Sequence, residues 1–182
     1  PADNTYSEQS SKVAHQIIQD FFSMNSFQKS LPYLQQKRCN VITTIAMFYD
    51  LDDPIQFLND VNEALDDNGL FVLQMSYTPL MVEQMAIDNV CHEHVCFYTL
   101  TSLKYLLDRT GFKIMDVKLN EVNGGSFRIF IQKNSASPES FGTACYRDCG
   151  RMRVASLLAY EEATGANTLE YYKDFWGRCV SL

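Results

Sequence analysis

The clearest alternation of apolar and polar positions lies between Asn40 and Ile131. Asn40-Val41-Ile42-Thr43-Thr44-Ile45-Ala46-Met47-Phe48 is a nearly continuous β-rich apolar run, the pattern of a central parallel strand covered on both faces. Asp52, Asp53 and Pro54 then supply a helix start, and Phe57, Leu58, Val61, Ala64 and Leu65 recur at helical spacing until Asn68-Gly69 stops them. Leu70 to Met75 is the next strand. Thr101 is placed to cap a helix carrying Leu103, Leu106 and Leu107, which ends at Thr110-Gly111. Phe112 to Leu119 alternates as a strand, Asn123-Gly124-Gly125 turns the chain, and Phe127 to Ile131 returns.

Weaker signals flank this block. Tyr6 to His15 is polar with helical composition, Gln16-Ile17-Ile18-Gln19-Asp20 is a short strand candidate, and Phe27 to Gln36 is a weakly amphipathic stretch broken by Pro32. Downstream, Asn134 to Glu139 is a polar linker, and Met152 to Glu162 and Leu169 to Val180 carry helical spacing. The succession predicts an open α/β sheet whose last strand is antiparallel. Ser76 to Tyr98 exceeds the usual connection of a few residues, which marks it as a functional insertion or lid.

Composition narrows the classes. A chain of 182 residues with 46% hydrophobic content can bury one substantial core. A net charge of -7 and no dense Lys/Arg cluster exclude a nucleic-acid partner, because phosphate binding draws on grouped cations. No apolar run reaches the roughly 20 residues that span a bilayer, and no signal peptide opens the chain, so no membrane partner is expected. The six irregularly spaced cysteines suit reduced thiols in a cytoplasmic setting.

Titratable chemistry concentrates in His92-Glu93-His94. Histidine is suited to general-base work near neutral pH, and a neighbouring carboxylate can orient it. The same three residues could equally bond backbone in a long loop. Cys91, His92, His94 and Cys96 are zinc-type ligands, but four within six residues crowd a tetrahedral site, so no metal is expected.

The order of elements, with the words Ile45-Ala46-Met47-Phe48-Tyr49-Asp50-Leu51-Asp52-Asp53-Pro54, Gly69-Leu70-Phe71-Val72-Leu73-Gln74-Met75, His92-Glu93-His94 and Asn123-Gly124-Gly125-Ser126-Phe127-Arg128, resembles the class I S-adenosylmethionine-dependent methyltransferases, and among them the sugar C-methyltransferases. His-Glu-His followed some thirty residues later by Gly-Gly-Ser-x-Arg is the more specific part. The resemblance implies a Rossmann-like α/β sheet with an antiparallel last strand, lacking its first strands. Residues 1–133 would form a partial catalytic domain, and residues 134–182 a linker and the helical start of a C-terminal region. None of the eight glycines forms a G-x-G-x-G word, so the missing N-terminal portion of the same domain would be a partner.

The implied reaction is methyl transfer from S-adenosylmethionine to carbon of a small-molecule ketone, a nucleotide-linked ketosugar or a relative, through base-assisted enolate formation. The resemblance makes His94 the base and Glu93 its partner. Cys91 stands where the family has a tyrosine, so Tyr98 or Tyr49 would donate instead. Asp20 and Phe21 map to adenine contacts, and Ala46 and Met47 would line the cofactor or belong to the core. His92, Asn123, Ser126 and Arg128 map to the substrate side, with Arg128 equally suited to a surface strand. Other readings are an O- or N-methyltransferase on a small natural product, and a non-catalytic methyltransferase-like interaction domain.

Overall fold

The computed structural model describes residues 14, 17–30 and 37–181. The expected features at Tyr6 to His15 and around Pro32 therefore lie outside the described residues, apart from position 14. In chain order the elements are α1 (Met24–Ser30), β1 (Cys39–Ile45), α2 (Pro54–Ala64), β2 (Leu65–Ser76), α3 (Thr78–Glu83), α4 (Leu100–Arg109), β3 (Phe112–Asn120), β4 (Ser126–Lys133), α5 (Ala144–Thr164), α6 (Leu169–Lys173) and α7 (Phe175–Val180). The sheet order is β1-β2-β4-β3. β1 and β2 run parallel, whereas β4 is antiparallel to both β2 and β3. A parallel pair needs a crossover, and α2 supplies it. β3 and β4 need only the turn at residues 121–125.

One face of the sheet carries the core. Phe71, Leu73 and Met75 of β2 and Phe127, Ile129 and Ile131 of β4 alternate inward. They meet Leu58 and Val61 of α2, Leu103 and Leu107 of α4, and Leu157 of α5. Each such side chain contributes roughly 1.5–3 kcal/mol by leaving water. The buried face of α2 follows the spacing that the sequence indicates, and Asp53 caps that helix through the Gln56 amide, but the helix ends at Ala64: Leu65 and the Asn68-Gly69 pair expected to stop it already belong to β2.

Three further local expectations change. β1 is an edge strand among the described residues: its inner side chain Thr44 is buried and Ile42 packs on the core, while Val41 and Ile45 are each 58% exposed. Its apolar run promises cover on both faces, but periodicity cannot say what lies on the second one. Ile17 to Asp20 belong to no strand of the sheet formed among the described residues. The cap of α4 is Thr99, which forms a reciprocal box with Ser102. Thr101 points its hydroxyl instead at a carboxylate from α5, 2.6 Å away.

That carboxylate is Glu161, fully buried. It accepts from the amides of Leu100 at 2.6 Å and Thr101 at 2.9 Å and from the Tyr77 hydroxyl at 2.8 Å. A negative group at a helix N-terminus meets unpaired amides and the positive end of the helix dipole. Burial, followed by this bond, drives the Tyr77 phenol well above its ordinary pKa, so it stays a donor. Further along α5, Arg153 forks onto the buried Asp116 of β3 at 2.7 and 2.8 Å. The helix can lie this close because position 150 is glycine; a Cβ there would sit 2.4 Å from the Met115 carbonyl oxygen. Residues 144–164 thus pack on the same sheet as residues 39–133. No helix among the described residues is long and apolar enough to cross a membrane.

Replacing Tyr77 by Phe removes one of several donors and should cost about 1.5 kcal/mol, whereas Glu161→Ala strands two backbone amides and should cost at least about 3 kcal/mol. Urea unfolding midpoints at constant slope measure both losses, and equal midpoints for the two variants would contradict this ranking.

Candidate active site

The site forms where β1 ends. After Ile45 the chain bends through Ala46, a non-glycine residue at φ +53°, whose amide still donates to the Gln74 carbonyl at 2.9 Å. A single 3-10 turn, Phe48 to Asp50, follows. Its Tyr49 carbonyl oxygen accepts from both the Val95 and Cys96 amides at 3.0 Å. The excursion between β2 and α4 is therefore fastened to the carboxyl end of β1. The base of that excursion is closed as well, by the Thr78 amide and hydroxyl donating to the Tyr98 carbonyl at 3.2 and 2.8 Å.

His94 lies in this excursion, half-buried, with its ring centroid 4.1 Å from that of Tyr49. Its Nδ1 is 2.7 Å from the Asn89 carbonyl oxygen. A carbonyl can only accept, so Nδ1 carries the proton, and in the neutral ring Nε2 keeps its lone pair. This is the arrangement a general base requires.

The neighbours set the local charge. Burial first, then the Asp50 carboxylate and Cys91, push the Tyr49 phenol above its usual pKa. Burial likewise raises the Asp50 carboxyl, with a charged His94 pulling it down and Glu93 pushing it up. His92 and Glu93 are exposed at the tip of the turn.

Several predicted site residues are not gathered here. Tyr49 and Tyr98 are both buried in the core, but Tyr98 packs on Phe48 with ring centroids 5.4 Å apart, and of the two tyrosines it is Tyr49 whose ring meets His94. Ser126 is buried and donates to the Val122 carbonyl at 2.7 Å, which makes it a turn brace. Arg128 is exposed and its Nε donates to Gln74 Oε1 at 2.7 Å, on the sheet face opposite Phe127 and Ile129. Asn123 adopts the left-handed conformation at φ +52° and offers its carbonyl to the Asn89 side chain.

On the other flank, Phe21 is 81% exposed, and Asp20 accepts from the Phe21 amide. Phe22, overlooked in the sequence, packs on Phe57 at 5.4 Å and lines a cleft of about 390 Å³ with Ile42, Thr44, Ile45 and Met47. Its only sequence signal is proximity to Ser23, which caps α1 through the Ser26 amide. A second cavity, about 320 Å³, lies beside the His94 segment between Met81, Val90, Phe97, Tyr172 and Phe175. Among the described residues no group of three or more His, Cys, Asp or Glu could hold a metal ion, and the cysteines are free.

Gly124 and Gly125 are dictated by the excursion packed on them. At Gly125, with φ +105°, a Cβ would lie 2.6 Å from the Leu80 Cβ.

The sheet with one parallel crossover and a closing antiparallel hairpin, and the chemistry gathered at the carboxyl end of β1, fit the methyltransferase domain family, whose pattern matches residues 4–117; the chain belongs to that family. Its fold is the Rossmann-like class I methyltransferase sheet with an antiparallel last strand. Among individual relatives, C-methyltransferase NovU of Streptomyces niveus is 29% identical over 128 residues, covering 70% of this chain and 28% of NovU. The chain thus spans little more than a quarter of that relative. Among solved structures, a SAM-dependent methyltransferase from Aquifex aeolicus matches with a TM-score of 0.38 and 11% identity over 58% of this chain and 60% of its own. The plantazolicin methyltransferase BpumL, in complex with a pentazolic desmethylPZN analog and SAH, matches at 0.46 and 12% identity over 72% of this chain and 65% of its own.

Gly125→Ala combines a backbone conformation disfavoured for alanine with an overlap against Leu80, and should lower stability by about 2–3 kcal/mol. A thermal melt unchanged by this substitution would show that the turn can open without cost.

Proposed function

We propose that the protein carrying this chain is an enzyme that transfers a methyl group from S-adenosylmethionine to a carbon made acidic by a neighbouring ketone, as in a ketosugar or related ketone. The observation that carries the reading is His94, held with its Nδ1 proton on the Asn89 carbonyl and its ring against Tyr49, beside the carboxyl end of a parallel strand. Open α/β sheets bind ligands at that end. Membership in the methyltransferase domain family and the relationship to a C-methyltransferase agree with it.

The residues near β1 suit the flat, weakly polar part of the cofactor. Phe22, Met47 and Phe57 give an apolar wall, with Asp20 placed two residues before Phe22 as an acceptor for an exocyclic amine. When bound, the cofactor supplies an electrophilic methyl group on a sulfonium. The chain's own task is to make the acceptor carbon nucleophilic. His94 Nε2 takes the proton from the carbon beside the carbonyl, leaving an enolate, and the resulting imidazolium is stabilised by Asp50 and Glu93 nearby. Tyr49, kept protonated by its raised pKa, is the donor for the enolate oxygen in place of the phenol that Cys91 lacks. Among the described residues, the cavity beside Phe97 has no basic side chain in its lining. A diphosphate on the acceptor would therefore be held elsewhere.

With the intact protein, His94→Gln should lower methyl transfer by about 10²- to 10⁴-fold, the usual contribution of a positioned base, while S-adenosylmethionine binding measured by calorimetry stays at the wild-type level. Carbon-13 NMR of product made from labelled methyl donor and carbon-13-labelled acceptor should show one-bond carbon–carbon coupling at the methyl resonance. A methyl resonance at the shift of an oxygen- or nitrogen-bound methyl with no carbon–carbon coupling, or undiminished turnover in His94→Gln, would overturn the carbon-acid mechanism.

A further inference from the structure

We propose that Asn89 is the positioning residue that fixes which nitrogen of His94 carries the proton, and that it joins the His-Glu-His word to the Asn-Gly-Gly turn. The catalytic consequence rests on the function proposed above; the structural claim does not.

Asn89 ends a short 3-10 turn, Ile87 to Asn89, and is 5% exposed. Each of its polar atoms is engaged. The backbone amide donates to the Ala86 carbonyl at 3.2 Å, and the backbone carbonyl receives the His94 Nδ1 proton. Oδ1 accepts from Ser76 Oγ at 3.0 Å, and Nδ2 donates to the Asn123 carbonyl at 3.2 Å. Only a carboxamide both accepts and donates in this way; an aspartate would set an acceptor oxygen against the Asn123 carbonyl oxygen. The side chain therefore ties the peptide that orients His94 to the last residue of β2 and to the turn before β4.

The turn is shaped to receive it. Asn123, in the left-handed conformation, presents its carbonyl to Nδ2, and Gly124 leaves room: a Cβ there would lie 2.7 Å from the Ala86 Cβ and 3.2 Å from Asn89 Nδ2. The two sequence words, about thirty residues apart, thus meet through one residue, His94 on its backbone carbonyl and Asn123 on its side-chain Nδ2. A partner that holds the far nitrogen of a histidine sets its tautomer and ring direction.

The tautomer can be read directly. Long-range ¹H–¹⁵N spectra of the intact, histidine-labelled protein, with His94→Gln assigning the resonance, should show neutral His94 mainly as the Nδ1–H form. Asn89→Ala should move it toward the Nε2–H form that free histidine favours, and Ser76→Ala should move it the same way by less. Turnover number in Asn89→Ala should fall about tenfold or more with little change in KM. Finding wild-type His94 as Nε2–H would overturn the proposal, as would an unchanged tautomer in Asn89→Ala. Should Asn89→Ala fail to fold, Ser76→Ala decides alone, and an unchanged tautomer there has the same force. A tautomer that shifts as stated in a protein without methyl transfer would support the role of Asn89 and overturn only the proposed activity.

Discussion

Glu161 reaches from α5 and grips both feet of the segment that carries His94. Tyr77 opens that excursion, Leu100 and Thr101 close it, and all three donate to the same carboxylate. A buried carboxylate is tolerable only when its lone pairs are met, and here backbone amides at a helix start meet them at no cost to other pairings. With the feet fixed, the interior of the excursion needs few further ties. The Tyr49 carbonyl holds it to β1, and Asn89 holds it to the turn before β4.

The same logic explains why the titratable cluster is off the regular elements. Strands and helices satisfy their own backbone, so their side chains can be spent on packing, as Phe71, Leu73, Phe127 and Ile129 are. The 3-10 turns at residues 48–50 and 87–89 leave carbonyls available, and those of Tyr49 and Asn89 receive the amides and imidazole of the site. Loops carried on a rigid scaffold are where such precision is usually found.

What the sequence discloses follows from how local each cause is. The face of α2 and the β3–β4 hairpin depend on spacing within a dozen residues, and periodicity exposes them. The long-range partners do not advertise themselves. Nothing near Glu161 says that it will meet Tyr77, 84 positions earlier. The choice between Thr99 and Thr101 as cap turned on Ser102, whose hydroxyl completes the box at Thr99. The apolar run at Asn40–Phe48 reports composition and not neighbours, so an edge strand and a central one look alike. Tyr49 and Tyr98 are equal candidates in the sequence because both are buried and only the fold decides which ring meets His94. Phe22 and Asn89 are invisible as site residues for the same reason: the contacts that place them, with Phe57 and with Asn123, span more than thirty positions.

The close approach of α5 to β3 at Gly150 bears on modularity. The family pattern ends at Val117, yet the helix that grips Asp116 and both ends of the His94 segment begins 27 positions later, at Ala144. A truncation drawn at the end of that pattern would sever the chain inside β3 and discard the helix that braces it, so a minimal folding unit has to be cut no earlier than Gly165.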